Sequence, residues 1–436
     1  MTERVHFETV ELLLASITSQ IGEDGLRSAF LFGKPGAMHW EKRAGTEIYF
    51  HPVELHLAAH FVRSNGPQYL KALPLSEVVS KLQSFVTENF WYLQDTMLSH
   101  DDKRPFNEKV EVEAKKQLAQ ALAVDQLFIA EEKTTLFPLA TAQVAEDVRL
   151  ENFFLSCPKG DDPFNLSSPD LASRLVPTQF PPLPNFAGRK EQPTAWLGVN
   201  SPDLRVARKM RAAILGALSL TQPHRCRYMF SGRRVFGGQC TIDGEAASYS
   251  FEPSHTPPCF YDITISAADM DWLKVLSAKL ASPEVQDRRH MKALEYFYRS
   301  WEQSPEERFP THCMALDAIF GDANHATQAL LEGVANTLEI TGQEKRLREL
   351  ISLRASVIHG GAPDVYESSK YPKYFRKYGF DPIVDLERIT GECIRIVVFG
   401  DRLAEHSDPN EAAIKKARAV GRFPKQVIDR SILASP

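Results

Sequence analysis

The spacing of apolar residues predicts that both ends of the chain are mainly helical. Before residue 140, apolar positions recur at three- and four-residue steps, and we expect helices at 1–24, 52–63, 74–98 and 107–124. Short strand patterns at Ala29–Phe32 and Ile48–Phe50 interrupt this series. The pattern therefore predicts a mainly helical N-terminal region over 1–140.

The pattern changes in the middle of the chain. Short alternating runs separated by glycines predict strands, and a helical pattern over 203–220 lies between them. Eight prolines in 158–193 exclude regular elements from much of that segment, which we interpret as a long loop or linker. We expect an α+β middle domain over 141–280.

The helical period returns in the C-terminal third. It predicts helices at about 285–302, 310–320, 325–339, 343–359 and 382–406. Short connections between several helices are typical of a helical bundle, which we place at 281–408. A basic tail follows at 409–436. The predicted fold class is multidomain α+β, with a mainly helical N-terminal block, an α+β middle domain and a C-terminal all-α bundle.

The helix predicted at 343–359 carries the most informative pattern, in the stretch QEKRLRELISLRASVIHGG. Thr341 and Glu344 predict a capping box at its start, and Gly360 and Gly361 predict its end. One face combines apolar residues with a single arginine: Leu347, Leu350, Ile351, Arg354 and Ile358. Arginine is always charged and is costly to bury without a partner, so this position indicates more than packing.

Arg354 and His359 are five positions apart on this helix. At about 100° per residue, their side chains point roughly 140° apart. Two copies of the helix, packed about a two-fold axis, bring such residues together more easily than one copy does. The spacing alone also fits a surface ion pair and a helix-end contact.

Composition excludes several classes of protein. The chain has a net charge of −5, which argues against sequence-independent coating of nucleic acid but permits a local basic site. Six cysteines without a CxxC spacing fit reduced thiols better than disulfides or a zinc site. Neither a signal-peptide pattern nor a sufficiently long apolar run is present, so we expect a cytoplasmic protein without a membrane partner.

The C-terminal third resembles the HEPN superfamily, and within it the Apea-like branch. The resemblance covers about 280–405 and depends on the order of the helices, the Ala315-Leu316-Asp317 pattern, and Arg354-x4-His359 followed by Gly360. It implies a helical bundle, a homodimer through that bundle and a metal-independent endoribonuclease without a cofactor. It also implies a setting in prokaryotic antiviral defence, abortive infection or toxin systems. Many HEPN nucleases have a polar residue after the arginine, where this chain has Ala355.

The resemblance assigns roles to three residues. His359 is expected to act as the acid or base, Arg354 to stabilise charge on the phosphate, and Asp317 to hold one of them in place. The 280 residues before the bundle are then expected to sense a trigger or to restrain the nuclease, with a regulatory protein or a trigger molecule as a partner.

A second basic pattern follows the histidine, in the stretch SSKYPKYFRKYGF. Cations that meet phosphates alternate there with rings that can stack on unpaired bases. We therefore expect this segment to be a loop that binds single-stranded RNA through Lys370, Tyr371, Lys373, Tyr374, Arg376 and Lys377. The alternative is that its rings pack on the bundle or on the dimer mate.

Two other functions remain open from the sequence. One is a non-catalytic HEPN module that binds nucleotides or a protein, which Ala355 and the acidic net charge favour. The other is a metal-dependent enzyme that uses His51, His56 and His60, although the glutamate of a zinc-protease HExxH motif is missing there and no Cys or acidic third ligand is obvious. We expect no metal.

Overall fold

A computed structural model describes residues 3–19, 26–31, 45–89, 91–93, 104–157, 193–233, 235–244, 246–422 and 429–434. The fold is mixed α+β, as the sequence pattern predicted. The chain forms two compact units, Met1–Glu132 and Lys133–Pro436. Within the described ranges, no helix is both long and apolar enough to cross a membrane.

The first unit packs helices beside a small antiparallel sheet. Its helices are α1 (Glu3–Ala15), α2 (Pro52–Asn65), α3 (Leu75–Asn89), α4 (Phe106–Lys109) and α5 (Val112–Val124). Strands β1 (Ile17–Thr18), β2 (Leu26–Leu31) and β3 (Gly45–Phe50) pair in the order β1-β3-β2. Helix α1 packs on α2 and α5 because its period places Val10, Leu13 and Leu14 on one buried face.

The second unit contains an antiparallel sheet in the order β10-β9-β4-β8-β7-β6. Its strands are β4 (Lys133–Leu139), β6 (Val148–Arg149), β7 (Phe153–Ser156), β8 (Ala195–Ser201), β9 (Gln239–Asp243) and β10 (Ala246–Ser250). A separate parallel pair joins β5 (Ala142–Val144) to β11 (Ile263–Ile265). Gly198 is required in β8, since a β-carbon there would lie 2.0 Å from the Phe154 ring.

Two helices of the second unit lie between β8 and β9, and the others follow β11 and fill the C-terminal third. They are α6 (Leu204–Thr221), α7 (His224–Arg227), α8 (Met270–Ala281), α9 (Val285–Ser300), α10 (Pro305–Phe320), α11 (Ala326–Thr337), α12 (Glu344–Ile358), α13 (Lys370–Tyr378), α14 (Pro382–Phe399) and α15 (Glu411–Ala419). The expected loop after the histidine is wrong, because that segment forms helix α13.

One hydrophobic core crosses the boundary that the sequence pattern placed near 280. Leu218 of α6, Leu294 of α9 and Val398 of α14 belong to the same buried cluster, together with Phe137 of β4. The expected middle domain and the expected bundle therefore lie within one compact unit. The proline-rich segment expected at 158–193 lies, apart from Pro193, outside the described residues.

Part of the expected tail packs into this unit. Ile432 is buried, and its backbone N–H donates to Asp385 Oδ1 at 2.8 Å. Ile432 joins a second core cluster, which contains Leu316 of α10, Leu350 of α12 and Leu386 of α14. This second cluster supports the face of α12 that carries Arg354.

Candidate functional site around Arg354 and His359

Helix α12 positions the candidate site. Leu347, Leu350 and Ile351 are buried on the face that the sequence pattern predicted. The predicted capping box is wrong at its first residue: the N-cap is Gln343, which makes no side-chain cap, while Glu344 accepts the Gly342 N–H at 2.9 Å. The helix ends at Ile358, His359 is its C-cap, and Gly360 follows with a positive φ of 76°.

Arg354 lies on the inner face of α12 and is only 8% exposed. Its Nη2 donates to Asp317 Oδ2 on α10, in a close ion pair. A guanidinium is costly to bury alone, so this carboxylate compensates part of its desolvation. Asp317 is itself only half-buried, since 29% of its side chain is exposed.

The pair is incompletely satisfied. Within the described part of the chain, neither Nε of Arg354 nor Oδ1 of Asp317 has a hydrogen-bond partner. A buried polar atom without a partner costs about 1–3 kcal/mol, so the pair is less favourable than a fully hydrogen-bonded one. One donor and one acceptor therefore remain unpaired beside the ion pair.

His359 is the C-cap residue that follows the same helix, and it is exposed. Its backbone N–H donates to the Ala355 carbonyl oxygen at 3.2 Å. The imidazole has no hydrogen-bond partner among the described residues. Arg354 therefore faces the interior and His359 faces solvent, which fits the angular separation calculated from their spacing.

The end of α10 beside Asp317 is held by a residue that sequence reasoning missed. Arg289 of α9 donates through Nε to the Ala318 carbonyl at 2.9 Å and through Nη2 to the Gly321 carbonyl at 2.6 Å. Cations at a helix C-terminus satisfy its free carbonyl groups and its dipole. No local pattern around Arg289 predicts this contact, because its partners lie about 30 residues away.

Helix α13 divides the expected RNA-binding residues into two groups. Tyr374 is buried, and its hydroxyl donates to Asp385 Oδ2 at 2.5 Å and accepts from Arg346 Nε at 2.9 Å. Burial and the Asp385 charge raise the pKa of this hydroxyl. Tyr374 therefore packs on the bundle, which is the alternative that the sequence left open.

The other expected RNA-binding residues of α13 differ in the contacts that their side chains make. Tyr371 donates to Asp381, Lys377 pairs with Glu349, and the ammonium of Lys370 donates to the Ser352 carbonyl at 2.7 Å. Lys373 and Arg376 are exposed, and neither has an ion-pair partner in the described ranges. Phe375 lies between them in the sequence, and it is 49% exposed. This outer face keeps two cations and one ring available.

The histidines near α2 do not form a metal cluster with other ligands. Among the described residues, no group of three His, Cys, Asp or Glu side chains could hold a metal ion. His51 Nε2 lies 3.1 Å from Thr18 Oγ1, and His56 Nδ1 donates to the Pro52 carbonyl at 2.6 Å. His51 therefore contacts strand β1, whereas the His56 contact lies within the first turns of α2.

Comparison with known proteins adds no relative. No protein-family model, no curated protein sequence and no solved structure matches this chain. The function is therefore inferred from the site itself.

Proposed function

We propose that this chain is a metal-independent endoribonuclease of HEPN type, which cleaves single-stranded RNA as a homodimer. The observation that carries the proposal is the buried Arg354–Asp317 pair on one side of α12, with the exposed His359 at the end of the same helix. The proposal places the enzyme in the cytoplasm of a prokaryote, in antiviral defence or a toxin system.

The dimer follows from the directions of the two side chains. In one chain Arg354 points inward and His359 points outward, so the two side chains of a single copy do not face the same site. A two-fold axis near the end of α12 would place the histidine of each copy beside the site of the other. Apolar side chains are exposed around this end of the helix, namely Ile358 at 39% and Tyr366 at 44%, and their burial would favour pairing.

The chemistry needs a proton carrier and a cation. A neutral imidazole can take the proton of the 2′-hydroxyl, and an imidazolium can donate one to the leaving 5′-oxygen. A guanidinium stabilises the charge that develops on the phosphate through two N–H donors. Attack by the 2′-hydroxyl leaves a 2′,3′-cyclic phosphate and a 5′-hydroxyl, so DNA is not a substrate.

The outer face of α13 supplies a surface for the strand. Lys373 and Arg376 would contact phosphates, and Phe375 would stack on a base. Tyr374, which the sequence pattern also pointed to, is excluded from stacking by its burial.

One observation favours a second candidate, a non-catalytic module that binds nucleotides or a protein. Arg354 is almost fully buried and already paired with Asp317, which is the behaviour of a structural ion pair. Ala355 beside it supplies no polar group. In this case binding of a nucleotide or of a protein would survive the loss of Arg354.

The decisive experiment is cleavage of an end-labelled single-stranded RNA in EDTA. Arg354→Ala and His359→Ala are each expected to abolish cleavage, with a loss of about a hundredfold or more. Matched controls are Arg348→Ala, which removes an exposed arginine of α12, and His325→Ala, which removes an exposed histidine before α11. Both controls should cleave as the wild type does.

Three results would contradict the nuclease proposal. They are cleavage that requires a divalent metal, cleavage that survives His359→Ala, and an absence of cyclic phosphate ends. An inactive but folded and dimeric wild type would favour the binding module, and binding to a nucleotide panel would then be measured.

A further inference from the structure

A cavity of the Lys133–Pro436 unit is lined by neither Arg354 nor His359. Its volume is about 940 Å³, and its walls come from the region around β11 and from the segment that follows α14. Cavities of about 300–1,000 Å³ are typical of sites for small molecules and cofactors. The size therefore fits a ligand as large as a nucleotide.

An oriented histidine forms part of the wall. His406 Nε2 donates to Asp269 Oδ1 at 2.8 Å, and the same carboxylate accepts from Trp272 Nε1 at 2.9 Å and from the Ser266 N–H at 2.9 Å. Burial alone would raise the pKa of Asp269, but hydrogen bonds from His406, Trp272 and Ser266 hold it below its usual value. Asp269 is therefore an ionised acceptor that fixes the imidazole.

This arrangement leaves the other ring nitrogen of His406 available. Since Nε2 carries the proton that Asp269 accepts, Nδ1 is the free position of the ring. Nδ1 has no hydrogen-bond partner in the described part of the chain, and 32% of the side chain is exposed. Because His406 lines the cavity and Asp269 fixes its ring, Nδ1 would be an N–H donor to an anion there when the ring carries both protons.

The carboxylates of the cavity are already neutralised. Asp262 pairs with Arg233, and Glu405 accepts from Arg395 Nη2 at 2.8 Å and from Arg227 Nη2 at 3.4 Å. Arg402 also lines the cavity, is exposed, and has no carboxylate partner in the described ranges. The unpaired charge of this wall is thus a guanidinium, which favours an anionic ligand.

An exposed aromatic ring completes the cavity. Phe260 lines the cavity and is 56% exposed. Its ring contacts Tyr261 edge-to-face, with 4.9 Å between the centroids. Tyr261 is itself fixed, because its hydroxyl donates to Asn410 Oδ1 at 2.6 Å. Phe260 therefore offers a supported ring face to a planar ligand.

We propose that this cavity binds a nucleoside phosphate, with the phosphate on Arg402 and His406 and the base on Phe260. Stacking of a base on an aromatic ring and charge-assisted bonds to phosphate are the two contacts that such a ligand needs. The site does not depend on the proposed ribonuclease activity, and it would give the chain a small-molecule effector.

Isothermal titration calorimetry of the full chain tests this proposal directly. The probes are ATP, GTP, AMP, adenosine and inorganic phosphate, each titrated in EDTA. We expect at least one of the nucleotides to bind. Adenosine and inorganic phosphate should each bind at least about tenfold more weakly than that nucleotide, because each can form only one of the two contacts. An absence of binding by all three nucleotides at millimolar concentration would overturn the proposal.

Variants assign the binding to this cavity. Arg402→Ala and Phe260→Ala remove exposed side chains, so the chain should fold, and each is expected to weaken nucleotide binding about tenfold or more. His406→Gln keeps an amide donor for Asp269 and should weaken binding of the phosphate. Phe251→Ala is the control, since Phe251 is 71% exposed and lies outside the cavity.

The pattern of these results decides the outcome. Nucleotide binding that is unchanged in both Arg402→Ala and Phe260→Ala would show that the ligand binds elsewhere and would overturn the proposal. Binding lost in these variants and kept in Phe251→Ala would support it. RNA cleavage is measured separately, so failure of one proposal leaves the other unaffected.

Discussion

Gly216 of α6 lies directly against the backbone of Leu294 in α9. A β-carbon at Gly216 would lie 2.2 Å from the Leu294 carbonyl oxygen. No side chain fits at that distance, so the two helices approach each other only because this residue is glycine. The contact joins an element of the expected middle domain to the first helix of the expected bundle.

We expect Gly216→Ala to destabilise the fold. The β-carbon must push α6 and α9 apart, and overpacking of this kind costs typically about 1–3 kcal/mol. Gly232→Ala is the matched control, since a β-carbon there meets no atom within 4 Å. Urea unfolding of the two variants measures the difference, and equal stability would contradict the close approach of the helices.

The hydroxyl of Tyr374 is expected to stabilise the C-terminal helices. Tyr374→Phe removes its bonds to Asp385 and Arg346 and leaves a buried carboxylate with one donor fewer. The loss should be about 1–3 kcal/mol in the free energy of unfolding. Phe375→Ala, one position further along α13, should leave stability nearly unchanged because that ring is half-exposed. A Tyr374→Phe variant with the same free energy of unfolding as the wild type would show that the network is not formed.

The exposed cations of α13 should control RNA affinity and its dependence on salt. Lys373→Ala combined with Arg376→Ala removes two phosphate contacts, so the slope of log affinity against log salt should fall by about 1.4. Lys274→Ala with Arg288→Ala removes the same charge from exposed positions outside α13 and is the control. Fluorescence anisotropy with a labelled RNA measures the affinity of both double variants at several salt concentrations. Equal slopes in the two double variants would exclude α13 as the binding surface.

Buried His312 should make the fold sensitive to acid. Burial lowers the pKa of His312 to about 4, whereas an unfolded histidine titrates near 6.5. Between these values only the unfolded state binds the proton, so stability falls as the pH drops from about 6.5 to about 4, by about 1.4 kcal/mol per unit. His290, whose pKa burial also lowers to about 4, adds to this loss.

Replacement of the imidazole tests its contribution. His312→Leu removes the titrating group and the contact of its Nε2 with the Tyr228 hydroxyl at 3.5 Å, whereas Nδ1 has no partner in the described residues. Urea midpoints measured from pH 7.5 to pH 4.5 should depend less steeply on pH in the variant than in the wild type. An identical slope would show that His312 is not the group that takes up the proton.

The local sequence determined most of the helices in the C-terminal third. Apolar periodicity predicted the bounds of α9 and α12 to within two residues, and Gly360 and Gly361 marked the end of α12, although the cap expected at Thr341 does not form. These signals depend on neighbours within about one turn, so a single stretch of sequence contains them. The order of the helices and the face of α12 that carries Arg354 followed from the same patterns.

The tertiary structure decided what the patterns left open. Tyr374 and Phe375 are adjacent aromatic residues in one stretch, yet one is buried and the other exposed. The difference comes from Arg346 and Asp385, which are distant in sequence and hold the Tyr374 hydroxyl. The same contacts favour helix α13 over the loop that its alternating cations and rings indicated.

Domain organisation was also decided by long-range contacts. Each predicted element near 280 was reasonable by itself, but no local signal shows that Leu218, Leu294 and Val398 share a core. The ion pair between Arg354 and Asp317 spans 37 positions and closes only when α10 and α12 pack together. Sequence determines what a segment prefers to form, whereas the partners of a buried side chain are set when distant segments exclude water together.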